Sequence, residues 1–151
     1  MNGVNQELLL CRVGERLCAL PLEHVIETMR PLPVVALAGA PGFVRGLSIV
    51  RGAPVPVVTA AALLGDVEPR PFRFVIVRAD GRQFAMAVEA VLGVKAIPKE
   101  SLHDLAPLLR DAGSDLITAI GALDAELLLV LRSARIVPDS VWEAVRSEAS
   151  R

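Results

Sequence analysis

Catalysis or metal binding in this chain would have to be built from a short supply of side chains, because its 151 residues include only two histidines and two cysteines. Neither His24 nor His103 falls in a motif that sets it beside a serine, a cysteine or a second ligand, so a capping or solvent-exposed role is expected for both. Cys11 and Cys18 lie symmetrically about Gly14-Glu15, and a two-residue hairpin there would set them opposite one another on paired strands. With no Cys-x-x-Cys spacing and no nearby histidine, they read as small core hydrophobes in a reducing compartment rather than as a redox pair or half a metal site. No phosphate-cradling glycine loop or nucleophile elbow occurs, and Asp80-Gly81 is a hairpin turn signal. The carboxylates are scattered through turns, with nothing to predict the convergent pair that acid and base catalysis needs. These residues point away from an enzyme, and no cofactor or metal is expected.

Charge narrows the remaining classes. Sixteen basic residues balance seventeen acidic ones, which leaves no electrostatic footprint for nucleic acid or anionic lipid and makes any charged recognition local. Hydrophobic content is 53% while aromatics supply 3% and tyrosine is absent, so Val, Leu, Ile and Ala must fill the core, and the β-branched share favours strands. Mean hydropathy is high at +0.51. Even so, charge, Gly or Pro interrupts every apolar run before the roughly 20 residues of a spanning helix, and direct membrane insertion is not expected. The first residues lack the pattern of a secretory signal, which makes the cytoplasm the expected compartment. A chain of this length suits one domain, or two very small ones.

The segment from Arg45 to Val58 holds two Arg-Gly pairs around a short β-branched run, followed by alternating proline and valine. It reads as strand, tight turn, strand, with Arg51 at the turn. Pro54 and Pro56 should confine the second strand to an edge or a bulge. Other strands are expected at Leu8 to Arg12, Leu17 to Leu20, Phe72 to Val77, Phe84 to Val88 and Leu127 to Leu131, where short apolar runs end in turn residues. Ala60 to Leu64, stopped by Gly65, predicts a one-turn helix. Ser101 to Asp104 resembles a helix start, and Asp139 or Ser140 can cap a terminal helix running through Trp142 and Val145.

An internal repeat organises these pieces. Arg16 to Ile26 aligns without gaps on Arg82 to Leu92, and Val44 to Leu64 lies over Ile117 to Val137, so that Arg51-Gly52 falls on Asp124-Ala125 and Val25 on Val91. Two similar small barrels are expected, joined near Glu68-Pro69-Arg70-Pro71.

Val13-Gly14-Glu15, Leu20 to Glu27, Pro41 to Gly46 and Val50 to Val58, followed by Val75 to Val77, Met86 to Val94, Ile97-Pro98 and Gly121 to Leu123, occur in an order that resembles the CheW family of chemotaxis coupling proteins. The resemblance runs from about Leu8 to Trp142. It implies a single mostly-β domain over 1–151, made of two five-stranded SH3-like barrels on a shared hydrophobic interface, with approximate halves at 8–68 and 71–138 and a C-terminal helix at 139–151. It also implies a non-enzymatic adaptor in membrane-associated arrays, one that couples the cytoplasmic tips of methyl-accepting chemoreceptors to the regulatory domain of a CheA-type histidine kinase. Partner-binding positions carried over from the family are Val25, Glu27, Gly46, Arg51, Val88 and Val91. Of these Arg51 is the strongest candidate, because a turn arginine offers several planar donors to a partner.

Cys18, Ile49 and Thr59 depart from the family's usual aromatic, Asn and Asp, which removes hydrogen-bonding groups around the first hairpin. Two alternatives remain: a CheW-like subunit that caps or modulates arrays through one interface, and a small-molecule-binding β-barrel. The second would need convergent polar groups that the strands lack.

Overall fold

In a computed structural model, which describes residues 4–65, 73–104 and 116–149, the chain folds as two curled sheets packed together. The first half supplies β1 (Asn5–Val13), β2 (Arg16–Pro21), β3 (Val25–Met29), β4 (Val44–Val50), β5 (Ala53–Thr59) and the one-turn helix α1 (Ala60–Leu63). The second supplies β6 (Arg73–Ala79), β7 (Arg82–Val88), β8 (Ala90–Pro98), the two-residue β9 (His103–Asp104), β10 (Ile117–Leu123), β11 (Glu126–Leu131) and the helix α2 (Asp139–Ala149). The expected linker at Glu68 to Pro71 lies outside the described residues.

The sheets do not follow the contiguous halves 8–68 and 71–138. One runs β8-β1-β2-β11-β10-β9 and the other β3-β6-β7-β5-β4. Each half therefore lends its first hairpin to the other half's remaining strands. The repeat survives the exchange, because β1, β2, β3, β4 and β5 take the places of β6, β7, β8, β10 and β11. Parallel pairing sets Val57 against Ala85 in one sheet and Val130 against Ala19 in the other, which are equivalent positions in the repeat. Val25 pairs with Val77 and Val91 with Cys11, each followed by a bulge that skips Ile26 or Leu92. Val25 and Val91 are thus counterparts, as the alignment expects.

The continuous apolar runs have a physical cause. In β1, Leu8 and Leu10 face one core while Leu9, Cys11 and Val13 face the other, and β2 and β11 alternate in the same way. Strands buried on both faces lose the polar alternation of a half-exposed sheet. Each fully buried Leu or Val contributes about 1.5–3 kcal/mol, so these three strands tie the two cores together. Cys11 pairs directly with Cys18 in the strand register, as the hairpin predicts, and both thiols are buried.

Two expectations are corrected. β5 is an interior strand, flanked by β7 and β4, although it carries Pro54 and Pro56. The prolines fit because β7 joins β5 only from Val57 onward, and alternation with Val55 turns their nitrogens away from β4. The supposed helix start at Ser101 is instead the end of a 3-10 turn, Lys99–Ser101, leading into β9. His24 keeps 39% of its side chain exposed, in line with a solvent-facing role, and sets its Nδ1 3.0 Å from Ser133 Oγ.

Candidate docking surface

β3 and β4 are the opposite edges of the five-stranded sheet, yet the sheet curls far enough to bring them together. Arg51 Nε donates to Glu27 Oε2 at 2.7 Å and Arg51 Nη2 to Glu27 Oε1 at 2.6 Å. This bidentate pair closes the barrel on its outer side, where the Arg51 side chain remains 76% exposed. Arg51 holds Glu27 below the ordinary carboxylate range by hydrogen bonding first and by charge second. An arginine at φ 49° is an uncommon choice, since a side chain in the left-handed region costs about 1–2 kcal/mol. The equivalent turn position carries Asp80 in the β6–β7 hairpin and Asp124 in the β10–β11 hairpin, both also at positive φ. Exposed apolar side chains accompany the pair on both strands: Ile26 beside Glu27, and Ile49 two residues before Arg51.

Gly46 belongs to the same sheet but serves its backbone. Its φ is +144°, and a Cβ there would lie 1.9 Å from the Val35 carbonyl oxygen. The close approach lets the β3–β4 connection fold back along β4, where Val35 and Leu47 exchange two backbone hydrogen bonds of 2.8 Å and Ser48 Oγ donates to Pro33 O at 2.7 Å. An edge that would otherwise be open is thereby covered.

Among the valines, Val25 and Val91 are half-buried at the margin of the larger core, whereas Val88 is 1% exposed and offers no surface. The structure therefore joins Glu27 to Arg51, places Val25 on the same strand as Glu27, and sets Val88 and Val91 on β7 and β8.

The second barrel has no copy of the clamp. The positions equivalent to Arg51 and Glu27 are Asp124 and Gly93. In that barrel Arg12 of β1 pairs with Glu126 of β11 instead, near exposed Leu92 and Val94. Residue types and spacing alone gave no sign of this ion pair, or of Arg82 stacking on Trp142 at 4.6 Å to the ring centroid, because the partners lie far apart in sequence. Among the described residues no group of His, Cys, Asp and Glu could hold a metal ion, and no helix is long and apolar enough to cross a membrane.

Comparison with known proteins agrees with this architecture. The chain is 24% identical over 147 residues to a probable chemotaxis protein CheW of Rhizobium etli, covering 95% of each. It is 25% identical over 146 residues to the chemotaxis protein CheW of Rhizobium meliloti, covering 95% of this chain and 94% of that one. Protein FrzA of Myxococcus xanthus matches at 32% over 96 residues, 62% of this chain and 60% of FrzA. The fold is shared with the scaffolding protein TtCheW of Thermoanaerobacter tengcongensis at a TM-score of 0.74 and 19% identity, over 85% of this chain and 90% of that one. The CheW-like domain model matches residues 7–141, and with that span the chain belongs to the CheW family of adaptor proteins.

Proposed function

We propose that this chain is a cytoplasmic, non-enzymatic coupling protein of a chemosensory array, joining the tips of chemoreceptors to the regulatory domain of a CheA-type histidine kinase. Family membership supports the adaptor role, and one observation carries the site: a guanidinium on a strained turn, held by Glu27 and still largely exposed. A pre-ordered arginine loses little entropy on docking and offers its remaining donors to a partner carboxylate or carbonyl. Ile26 and Ile49 supply the apolar surface beside it. Val25 and Val91 extend the surface toward the join between barrels, while Val88 acts from beneath by packing.

The asymmetry of the barrels favours a second reading. Only one barrel carries the clamp, which suits a subunit that engages a single interface and caps an array rather than bridging it.

Co-purification with the cognate kinase regulatory domain, and separately with a receptor tip fragment, tests both readings. Arg51→Glu should weaken capture of at least one partner and leave the thermal midpoint nearly unchanged, as befits an exposed ion pair. Binding of both partners by the unmodified chain supports coupling, and binding of one supports capping. Undiminished capture by a folded Arg51→Glu variant would refute the docking role.

A further inference from the structure

A groove of about 490 Å³ opens where the β4–β5 turn, the β6–β7 turn and α2 meet. Its apolar surface comes from Val50, Val55, Trp142 and Val145, and its polar rim carries three guanidinium groups, those of Arg51, Arg82 and Arg146. No carboxylate lines it, although acidic residues slightly outnumber basic ones in the chain as a whole. Glu27 engages Arg51 from outside the groove. The Arg82 guanidinium carbon lies over the Trp142 ring, 4.6 Å from its centroid, a cation–π contact that leaves the planar fork of N–H donors able to meet a carboxylate. Trp142 is itself only 7% exposed, so the ring is held in place before any partner arrives, while Arg82 stands exposed above it.

The geometry points to a docking site for an acidic polypeptide segment that inserts one apolar side chain against Trp142 and sets a flanking carboxylate on Arg82. A volume of this size takes one side chain and the adjoining backbone. The charge is complementary to an acidic segment. A phosphate backbone is a poorer match, because it needs a continuous basic track and the groove interrupts its cations with apolar surface. This site goes beyond the kinase and receptor reading and does not depend on it: any partner chain with this chemistry qualifies.

Trp142 is the single tryptophan and tyrosine is absent, so intrinsic emission reports the groove directly. The full chain is titrated with a synthetic peptide holding one leucine flanked by glutamates, with the same peptide carrying glutamine in place of glutamate, and with phosphatidylserine vesicles. A saturable emission change with the acidic peptide is expected, weakened about tenfold by the glutamine version and by Arg82→Glu. Lys95→Glu on the other barrel should leave the titration unaltered. If Arg82→Glu fails to fold by circular dichroism, Arg82→Gln takes its place with the same expected loss. The site is refuted by the absence of a saturable change, by an equal response to both peptides, by indifference to the Arg82 substitution, or by a response to vesicles alone.

Discussion

Gly46→Ala isolates the most constrained backbone position of the proposed docking sheet. A methyl group there would be driven to 1.9 Å from Val35 O at a φ of +144°, so either β4 or the strap over it must move. The unfavourable backbone region costs about 1–3 kcal/mol. Displacing the strap forfeits the two Val35–Leu47 hydrogen bonds and the Ser48–Pro33 bond, each worth about 0.5–1.5 kcal/mol. The sum is about 2.5–7.5 kcal/mol, a large part of the roughly 5–15 kcal/mol that holds a domain together. For a chain of this size it corresponds to a fall in thermal midpoint on the order of 5–30 °C. Urea denaturation followed by far-UV circular dichroism measures it. Gly42→Ala is the control, with nothing within 4 Å of its added Cβ and an expected change within about 0.5 kcal/mol. A Gly46→Ala protein that loses under about 1 kcal/mol but no longer binds its partner would overturn the backbone argument and move Gly46 into the contact itself.

Two further outcomes follow from buried and strained positions. Burial, reinforced by the neighbouring Cys18, pushes the Cys11 thiol from its ordinary value of 9.0 up to about 12; the native protein should therefore resist iodoacetamide at pH 8 and react only when urea unfolds it. The folded value lies above the unfolded one, so the associated stability is complete below pH 9 and declines toward pH 12, measurable as a midpoint that falls with alkalinity. Ala125 sits at φ 63° where its counterpart in the first hairpin is Gly52; Ala125→Gly should raise stability by about 0.5–1 kcal/mol in denaturant titrations, and a loss would show that the turn is not strained there.

Local features of the fold were plain in the residue string, and its long-range connections were not. Gly14-Glu15, Asp80-Gly81 and Arg51-Gly52 announce two-residue turns because so few residues adopt positive φ, and the apolar runs between them have the length of strands. The opposition of Cys11 to Cys18 follows from one such turn. Which hairpin enters which sheet is a different matter: the stretches around Val57 and Val130 are nearly interchangeable apolar runs, and parallel pairing leaves no turn to mark its register. Pro54 and Pro56 misled because an interior strand can tolerate proline where its neighbour has not yet begun. Arg51 and Glu27 each stand out in the sequence, but their union depends on how tightly a sheet curls, which no single segment encodes. The groove beside α2 is hidden in the sequence for the same reason, since Arg82 and Trp142 meet only after α2 folds back.

The traded hairpins bear on how such a chain must fold. Neither moiety contains a complete sheet, so a fragment ending near residue 65 would lack the partners of β1 and β2 and should not fold alone. The exchange leaves the two ends of the molecule chemically unlike, with a cationic clamp at one and Asp124 with Gly93 at the other.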